Sequence, residues 1–275
     1  MSRSPVSIRL AGVTRGFDGK VVLDRLDLTV GTGESLVVVG KSGTGKSVLL
    51  KHVIGLLKPD AGVVEIDGED LWKAGRARRD EIRRKFGMSF QEGALFDSMS
   101  VGENIAFPLV RRTKMTREKI RARVAECLEL VRLPGLEEKR PSELSGGMRR
   151  RVGFARAIAL SPSILLFDEP TTGLDPITTD VIVGVISALA KRLNPTTITI
   201  THDLKAAFRI ADRVALLSEG RIRVSLPPRD FETSEDPYVA AFVRGDSRLE
   251  PGADADVTAG SSRPGPAGPT MGAIP

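Results

Sequence analysis

A glycine-rich loop constrains the fold of this chain more than any other stretch of its sequence. The loop consists of Gly40, Lys41, Ser42, Gly43, Thr44, Gly45, Lys46 and Ser47. The apolar residues 36–39 precede it, and the run from Val48 to Ile54 follows it. This arrangement predicts a strand, a tight loop and a helix, and it fills every fixed position of the P-loop pattern G-x-x-x-x-G-K-[ST].

The loop has the chemistry of a phosphate-binding site. Its glycines let the backbone curl so that successive N–H groups point at β- and γ-phosphates, assisted by the N-terminus of the following helix. Lys46 would add a positive charge to the same phosphates, and the Ser47 hydroxyl would ligate Mg²⁺. A glycine-rich turn that binds nothing is the alternative, but the strand before it and the helix after it favour a site. We therefore expect the chain to bind a nucleoside triphosphate.

Composition excludes several other classes of protein. A single cysteine, Cys127, and two histidines leave no intrachain disulfide and no multi-cysteine or histidine-rich metal site. The beginning of the chain lacks the apolar core of a signal peptide, and no apolar run approaches the roughly 20 residues that span a bilayer. We therefore expect a cytoplasmic protein that can dock on a membrane partner. Its net charge of +6 suits a polyanionic partner, an acidic membrane surface or nucleotide phosphates, without separating them.

Strand-like and helix-like patterns alternate along the chain. The strand-like runs are 6–11, 26–30, 36–39, 63–66, 86–90, 164–167, 196–200 and 214–217. This alternation predicts an α/β protein with a mainly parallel sheet and a helical segment inserted between about residues 91 and 160. Residues 245–275 are rich in Pro, Gly and Ala, and such a composition cannot bury enough apolar surface to become ordered. We expect a nucleotide-binding domain over residues 1–244 and a disordered tail after it.

Two helical segments have interpretations that do not involve the nucleotide. Residues 74–85 carry six basic side chains, which we interpret as a solvated helix face, with a docking surface as the alternative. In the segment 116–133, Cys127 belongs to a stripe of apolar residues at helical spacing. Cys127 is therefore predicted to be a small core residue and not a reactive thiol.

Two adjacent carboxylates are placed to complete the nucleotide site. Asp168 follows the apolar run 164–167, and the C-terminal ends of buried strands are where open α/β sheets place ligand-binding groups. Its carboxylate suits the shell of a Mg²⁺ ion, through water. Glu169 would face the other way and polarise a water beyond the γ-phosphate as a general base. The alternative is a pair of solvated acids at the end of a strand.

A second phosphate site is indicated far from the first in sequence. Ser145, Gly146 and Gly147 combine a hydroxyl, two glycines and the start of a helix, and this combination favours an anion. Because the first loop is already a complete phosphate site, we expect this half-site to serve the nucleotide of a second copy of the chain. A simple helix cap made by Ser145 is the alternative.

These motifs resemble those of ABC-type ATPases over about residues 6–244. Six features occur in that family's order and spacing: the P-loop, Gln91, the Leu-Ser-Gly-Gly signature that begins at residue 144, the acidic pair, Asp175 and His202. The resemblance implies a P-loop core with an N-terminal antiparallel β-subdomain and an inserted helical subdomain. It also implies two copies that sandwich two ATP molecules head to tail, with Asp175 linking the copies.

The same resemblance implies roles for individual residues. Phe17 matches the aromatic residue that stacks on adenine. Gln91 matches the residue that reaches Mg²⁺ and the attacking water. His202 matches the histidine that contacts the γ-phosphate. Together with Glu169, Gln91 and His202 would form the catalytic set. The signature usually continues with glutamine, and Met148 stands there instead. A thioether cannot donate the hydrogen bond that an amide donates.

A narrower resemblance is to the ATPase of Mla-type phospholipid transporters and of related Mce-associated transporters. It rests on residues 90–101, 103–104 and 107–109, on 144–151 with Met148, and on 175–178. It implies an ATP-hydrolysing subunit on the inner face of the inner membrane, with a transmembrane permease, a lipid-binding partner and phospholipid as cargo.

Two alternatives to phospholipid transport remain open. An ABC importer or exporter could carry another substrate, and a non-transport ABC ATPase could act mechanically on DNA or in cell division. The basic residues 74–85 leave room for the second alternative. The lack of long coiled-coil or zinc insertions and the low aromatic content of 4% argue against a nucleic-acid partner.

Overall fold

A computed structural model describes residues 5–91 and 93–246 of the chain. The described residues divide into two compact units, with the boundary between residues 231 and 232. The predicted domain boundary at residue 244 stays a prediction. The tail that we expect to be disordered, residues 245–275, lies almost wholly outside the described residues.

The described residues contain the following elements. The strands are β1 (Val6–Phe17), β2 (Lys20–Gly31), β3 (Ser35–Val39), β4 (Ala61–Ile66), β5 (Glu69–Asp70), β6 (Phe86–Ser89), β7 (Ile164–Asp168), β8 (Thr196–Ile200), β9 (Arg213–Ser218) and β10 (Arg221–Leu226). The helices are α1 (Lys46–Val53), α2 (Arg76–Arg83), α3 (Val101–Arg112), α4 (Arg117–Leu130), α5 (Gly146–Ile158), α6 (Pro176–Leu193), α7 (Leu204–Ile210), α8 (Pro228–Glu232) and α9 (Pro237–Arg244). A 3₁₀ turn spans Pro141–Glu143.

The larger sheet has the strand order β10-β9-β3-β8-β7-β6. All its neighbouring strands are parallel except β10, which pairs with β9 in the antiparallel sense. Strands β3 and β8 are buried along their whole length, as expected for β-branched and leucine-rich strands covered on both faces. The predicted mainly parallel sheet is confirmed. Because β3, β7 and β8 run in parallel, the segments that follow them emerge at one edge of the sheet.

The smaller sheet has the order β2-β1-β4-β5 and is antiparallel throughout. Strands β1 and β2 form a hairpin whose two turn residues, Asp18 and Gly19, both have positive φ angles, 49° and 79°. Such a turn matches the right-handed twist of paired strands. This sheet is the N-terminal antiparallel subdomain that the family resemblance implies.

The inserted segment between β6 and β7 is mainly helical, as predicted. Helices α3, α4 and α5 share an apolar core, and Phe154 of α5 packs edge-on against Phe167 of β7 at 5.2 Å between ring centroids. Cys127 is fully buried in this core, and burial raises the pKa of its thiol to about 11. Its predicted core position is confirmed. Within residues 5–91 and 93–246, no helix is both long enough and apolar enough to cross a bilayer.

The basic residues 74–85 form α2 and its flanks, but they are not simply a solvated face. Arg78 pairs with Glu69 through its guanidinium, with the closest N–O distance at 2.8 Å. Arg79 stacks on Trp72 and donates to the carbonyl oxygen of Ala74, and Arg83 donates to the carbonyl oxygen of Gly55. The solvated-face prediction is therefore only partly right, because several of these guanidinium groups bind within the chain.

Candidate functional site

The glycine-rich loop leaves β3 and enters α1, as the pattern predicts. Gly43 and Gly45 have φ angles of 78° and 99°, a region that residues with side chains rarely adopt. At Gly40 the reason for glycine is different, since a Cβ there would lie 2.4 Å from the carbonyl oxygen of Leu217. The loop can therefore follow this path only with glycine at these positions.

Lys46 is held inside the loop by its own backbone. Its ammonium group donates to the carbonyl oxygens of Gly40 and Lys41, both at 2.8 Å, and the side chain is only 7% exposed. Thr44 supports the same turn, since its hydroxyl donates to the carbonyl oxygen of Lys41 at 2.9 Å. Burial lowers the pKa of Lys46, against the opposing attraction of the carboxylates of Glu169 and Asp168. The ammonium group is thus held by backbone carbonyl oxygens within the loop, and its contact with phosphate stays a prediction.

Ser47 and Asp168 place two oxygen atoms beside the loop. The Ser47 hydroxyl donates to Oδ1 of Asp168 at 3.3 Å, and burial raises the pKa of the Asp168 carboxyl. Mg²⁺ prefers oxygen ligands, and it usually keeps several waters and binds substrate phosphates alongside one or two protein groups. No cluster of three or more His, Cys, Asp or Glu side chains suited to a metal occurs in the part of the chain that the structure describes. The Ser47–Asp168 pair fits such a partly hydrated ion.

The Glu169 side chain has three polar partners within the site. Its Oε2 atom accepts a hydrogen bond from the Thr172 hydroxyl at 2.8 Å, and Nδ1 of His202 lies 2.8 Å from the same oxygen. Its Oε1 atom lies 3.8 Å from the ammonium nitrogen of Lys46. The Glu169 side chain is 14% exposed and the His202 ring is 58% exposed. The carboxylate is therefore fixed in direction while the histidine beside it stays open to solvent.

Several of these groups line one cavity of about 590 Å³, although Asp168, Gly40, Lys41 and Thr44 are not among its lining residues. The lining residues are Val22, Ser42, Gly43, Gly45, Lys46, Ser47, Val48, Gln91, Glu169, Thr172 and His202. The structure thus brings the glycine-rich loop, Gln91, Glu169 and His202 together. The segments after β3, β6, β7 and β8 carry them, because parallel strands present their C-terminal ends at one edge.

Phe17 is not among the lining residues of this cavity. It ends β1, is 40% exposed, and has the guanidinium group of Arg15 4.7 Å from its ring centroid. Its role in stacking on adenine stays a prediction. Sequence reasoning missed Val22, Val48 and Thr172, which do line the cavity. A signal for Thr172 was available, since a hydroxyl three residues after a carboxylate in a tight loop can bind it; nothing in the sequence marks Val22.

The signature residues lie at the start of α5. The Ser145 hydroxyl accepts a hydrogen bond from the N–H of Met148 at 3.3 Å, so Ser145 does cap the helix. Gly146 lines a separate cavity of about 420 Å³, together with Ala94, Leu95, Asp97, Arg149, Arg150, Gly173 and Leu174. Among the residues that the structure describes, this second cavity shares none of its lining with the first. The structure therefore does not bring the signature into the P-loop cavity of its own chain.

Asp175, the residue expected to link two copies, begins α6. Its carboxylate accepts hydrogen bonds from the N–H of Thr178 at 2.9 Å and from the Thr178 hydroxyl at 2.5 Å. These hydrogen bonds lower the pKa of the Asp175 carboxyl. Asp175 is a helix cap within one chain, and its role between two copies stays a prediction.

Known proteins share these motifs. A family model described as "ABC transporter" matches residues 23–172. The "Probable ribonucleotide transport ATP-binding protein mkl" of Mycobacterium tuberculosis is 42% identical over 240 residues, 87% of this chain and 67% of that protein. The "Intermembrane phospholipid transport system ATP-binding protein MlaF" of Haemophilus influenzae is 38% identical over 247 residues, 90% of this chain and 93% of that protein. The dimeric structure of MJ0796, a bacterial ABC transporter cassette, has a TM-score of 0.74 at 33% identity, covering 81% and 99% of the two chains.

Proposed function

This chain belongs to the ABC transporter family as an ATP-binding, ATP-hydrolysing subunit, and from that premise we propose that it drives a transporter of phospholipid between bacterial membranes. The single cavity that joins Lys46, Glu169 and His202 carries the ATPase part of this proposal. The similarity to MlaF over 93% of that protein's length supports the phospholipid part. As part of a membrane transport system, the chain would sit on the inner face of the inner membrane, bound to a permease and to a lipid-binding partner.

ATP would enter the P-loop cavity as follows. The backbone N–H groups of residues 40–47 would bind the β- and γ-phosphates, and Lys46 would leave the carbonyl oxygens of its own loop for phosphate oxygens. The phosphate charge would stabilise the buried ammonium group, whose pKa burial lowers. Mg²⁺, held by Ser47, Asp168 and Gln91, would neutralise charge on the phosphates.

Glu169 would act on the attacking water. A water between the γ-phosphate and the Glu169 carboxylate would give a proton to that carboxylate while its oxygen bonds to phosphorus. The bond from the γ-phosphorus to the bridging oxygen then breaks, and ADP leaves with phosphate as the second product. Thr172 and His202 hold one carboxylate oxygen, so that the other can be directed at the water. The exposed ring of His202 can also contact the γ-phosphate from the open side of the cavity.

A second copy of the chain would complete the site. Ser145, Gly146 and Gly147 lie outside the P-loop cavity of their own chain, and a Cβ at Gly146 would meet nothing closer than 3.9 Å. The helix start beside this open position favours an anion, since its N–H groups and dipole point outward. In a head-to-tail dimer these residues would reach the γ-phosphate bound by the partner's P-loop.

Substitution of Glu169 by glutamine tests the hydrolysis mechanism. Glu169→Gln keeps the size and acceptor oxygen of the side chain but removes its capacity to take a proton. We expect ATP binding to persist, turnover to fall by about 100-fold or more, and ATP-bound dimer to accumulate on size exclusion. The exposed Glu129→Gln substitution on α4 is the matched control and should turn over normally. Near-normal turnover of Glu169→Gln would refute the general-base assignment.

Ribonucleotide transport is a second candidate function, favoured by the 42% identity to mkl. Purification of the intact complex from detergent-solubilised membranes separates the two candidates. A permease and a lipid-binding partner with bound phospholipid, identified by mass spectrometry, would support the first. A complex that retains ribonucleotide and no phospholipid would support the second. Steeply salt-dependent binding of the chain to duplex DNA would instead indicate a mechanical, non-transport ATPase.

A further inference from the structure

Arg150 joins the signature helix to the loop that carries Glu169. It lies on the second turn of α5, and the residue is only 8% exposed. One guanidinium nitrogen, Nη1, donates to the carbonyl oxygen of Pro170 at 2.9 Å, and the other, Nη2, donates to the carbonyl oxygen of Thr172. A planar guanidinium group can bridge two such acceptors at once, which a lysine ammonium group cannot do with the same fixed geometry.

The loop that Arg150 bridges determines the direction of the Glu169 carboxylate. Glu169 has a φ angle of 48°, a left-handed conformation that a residue with a side chain keeps only when its surroundings fix it. The N–H of Thr172 donates to the carbonyl oxygen of Glu169 at 3.4 Å, and the Thr172 hydroxyl donates to the Glu169 carboxylate at 2.8 Å. Thr172, together with His202 on the same oxygen, therefore positions the carboxylate.

We propose that Arg150 is a positioning residue for ATP hydrolysis, acting on Glu169 through Thr172. Arg150 does not line the P-loop cavity, so it acts without touching the nucleotide bound there. It does line the second cavity, beside Gly146 at the start of the same helix. A shift of α5 when its N-terminus meets the partner's nucleotide would therefore move the carbonyls of residues 170 and 172, and with them the general base. This inference rests on the proposed role of Glu169.

A purely structural role for Arg150 makes a different prediction. Loss of a buried guanidinium group would then lower stability, and the apparent kcat would fall only in proportion to the folded fraction, with KM unchanged. A positioning role lowers kcat and leaves the KM for ATP nearly unchanged, because Lys46 and the P-loop keep their contacts. The kcat per folded molecule, with the folded fraction taken from the urea unfolding curve, therefore separates the two roles, because only a positioning role lowers it.

Arg151 is the matched control for this experiment. It is the next residue of α5, and its guanidinium group also donates to two backbone carbonyl oxygens, those of Val131 and Arg132. Those carbonyls belong to the segment after α4, away from the P-loop cavity. Burial lowers the pKa of Arg151, so its removal also disturbs a partly buried cation.

The experiment compares Arg150→Met, Arg150→Lys, Thr172→Val and Arg151→Met in the full chain by steady-state ATPase kinetics and urea unfolding. We expect Arg150→Met to lower kcat by roughly 10- to 100-fold with KM within about twofold of the unsubstituted protein. Arg150→Lys should recover part of this loss, and Arg151→Met should keep its kcat even where it loses stability. A wild-type kcat for Arg150→Met, or a loss that Arg151→Met shares, would overturn the proposal.

Two double variants test the route through Thr172 and Glu169. If Arg150 acts through Thr172, Arg150→Met with Thr172→Val should have a kcat close to that of the slower single variant. If the two single-variant losses of kcat multiply in the double variant, Arg150 does not act through Thr172. In the Glu169→Gln background, Arg150→Met should lower turnover no further. Normal turnover of Glu169→Gln alone is a separate result, which would refute the general base and not the contacts of Arg150.

Discussion

The two glycines of the signature should respond oppositely to substitution by alanine. Both belong to the first turn of α5, and neither has a positive φ angle. A Cβ at Gly147 would lie 2.3 Å from the Cγ2 methyl of Thr178, whereas a Cβ at Gly146 would lie no closer than 3.9 Å to its nearest neighbours. The variants Gly147→Ala and Gly146→Ala therefore carry the same substitution, with a steric clash in the first and without one in the second.

The clash at position 147 is difficult to relieve. The methyl of Thr178 would have to move by about 1 Å to reach ordinary contact with the new Cβ. Rotation of the Thr178 side chain would break the 2.5 Å hydrogen bond between its hydroxyl and Asp175. Overpacking of this kind destabilises by about 1–3 kcal/mol, against a gain of up to about 1 kcal/mol from replacing glycine in a helix. We expect Gly147→Ala to lower the free energy of unfolding by about 1–2 kcal/mol.

Urea unfolding of both variants measures the difference, provided that the slope m is unchanged. Gly146→Ala should have a free energy of unfolding equal to the unsubstituted protein or higher by about 0.5 kcal/mol. Thr178→Ser removes the clashing methyl and keeps the hydroxyl that binds Asp175, so it should restore most of the stability of Gly147→Ala. Equal stability of the two alanine variants, or no rescue by Thr178→Ser, would refute the steric argument.

Three further predictions concern the dimer, the P-loop and the buried thiol. Gly146→Ala should fold normally yet hydrolyse ATP slowly, as measured by phosphate release, because its new methyl occupies the space proposed for the partner's phosphate. Lys46→Ala should weaken ATP binding by about 10- to 100-fold in calorimetric titration, because charge-assisted hydrogen bonds are lost. Substitution of the exposed Lys58 by alanine is the control and should leave the affinity for ATP unchanged. An unchanged affinity of Lys46→Ala would contradict the P-loop site. The folded-state pKa of Cys127, about 11, exceeds the ordinary value of 9.0, so its contribution to stability is complete below pH 9.0 and disappears as pH rises through 11. The free energy of unfolding of the protein relative to Cys127→Ala should therefore fall by about 1.4 kcal/mol per pH unit between those values, and a pH-independent difference would contradict this.

Local motifs account for what the sequence predicted well. The P-loop was identified from eight consecutive residues, because its phosphate-binding geometry depends on backbone groups within the loop and on the helix that directly follows. Eight of the ten strands in the described residues, and the core position of Cys127, followed from hydrophobic patterns, which are also a property of neighbouring residues; β5 and β10 were not predicted. Asp168 and Glu169 were predicted because the apolar run 164–167 ends directly before them.

Contacts between residues that are distant in sequence could not be predicted from local motifs. The basic residues 74–85 were interpreted by charge alone, but Arg79 and Arg83 bind backbone carbonyl oxygens that no pattern of charges reveals. Val22 lines the nucleotide cavity although nothing in its own strand marks it. Phe17, chosen by family resemblance, lies outside the lining of that cavity. These contacts are decided by how the two sheets and the helices pack.

The sequence by itself determined that this chain binds and hydrolyses ATP, since the residues that hold phosphate are contiguous and their chemistry is local. Only the tertiary structure decided how the second half-site relates to the first. It separates the signature from the P-loop cavity of its own chain, and it bonds Arg150 of the signature helix to the loop of Glu169. The hydrogen bond from Arg150 to the carbonyl oxygen of Pro170 joins residues 20 positions apart in sequence. It forms only because α5 packs beside the segment that follows β7.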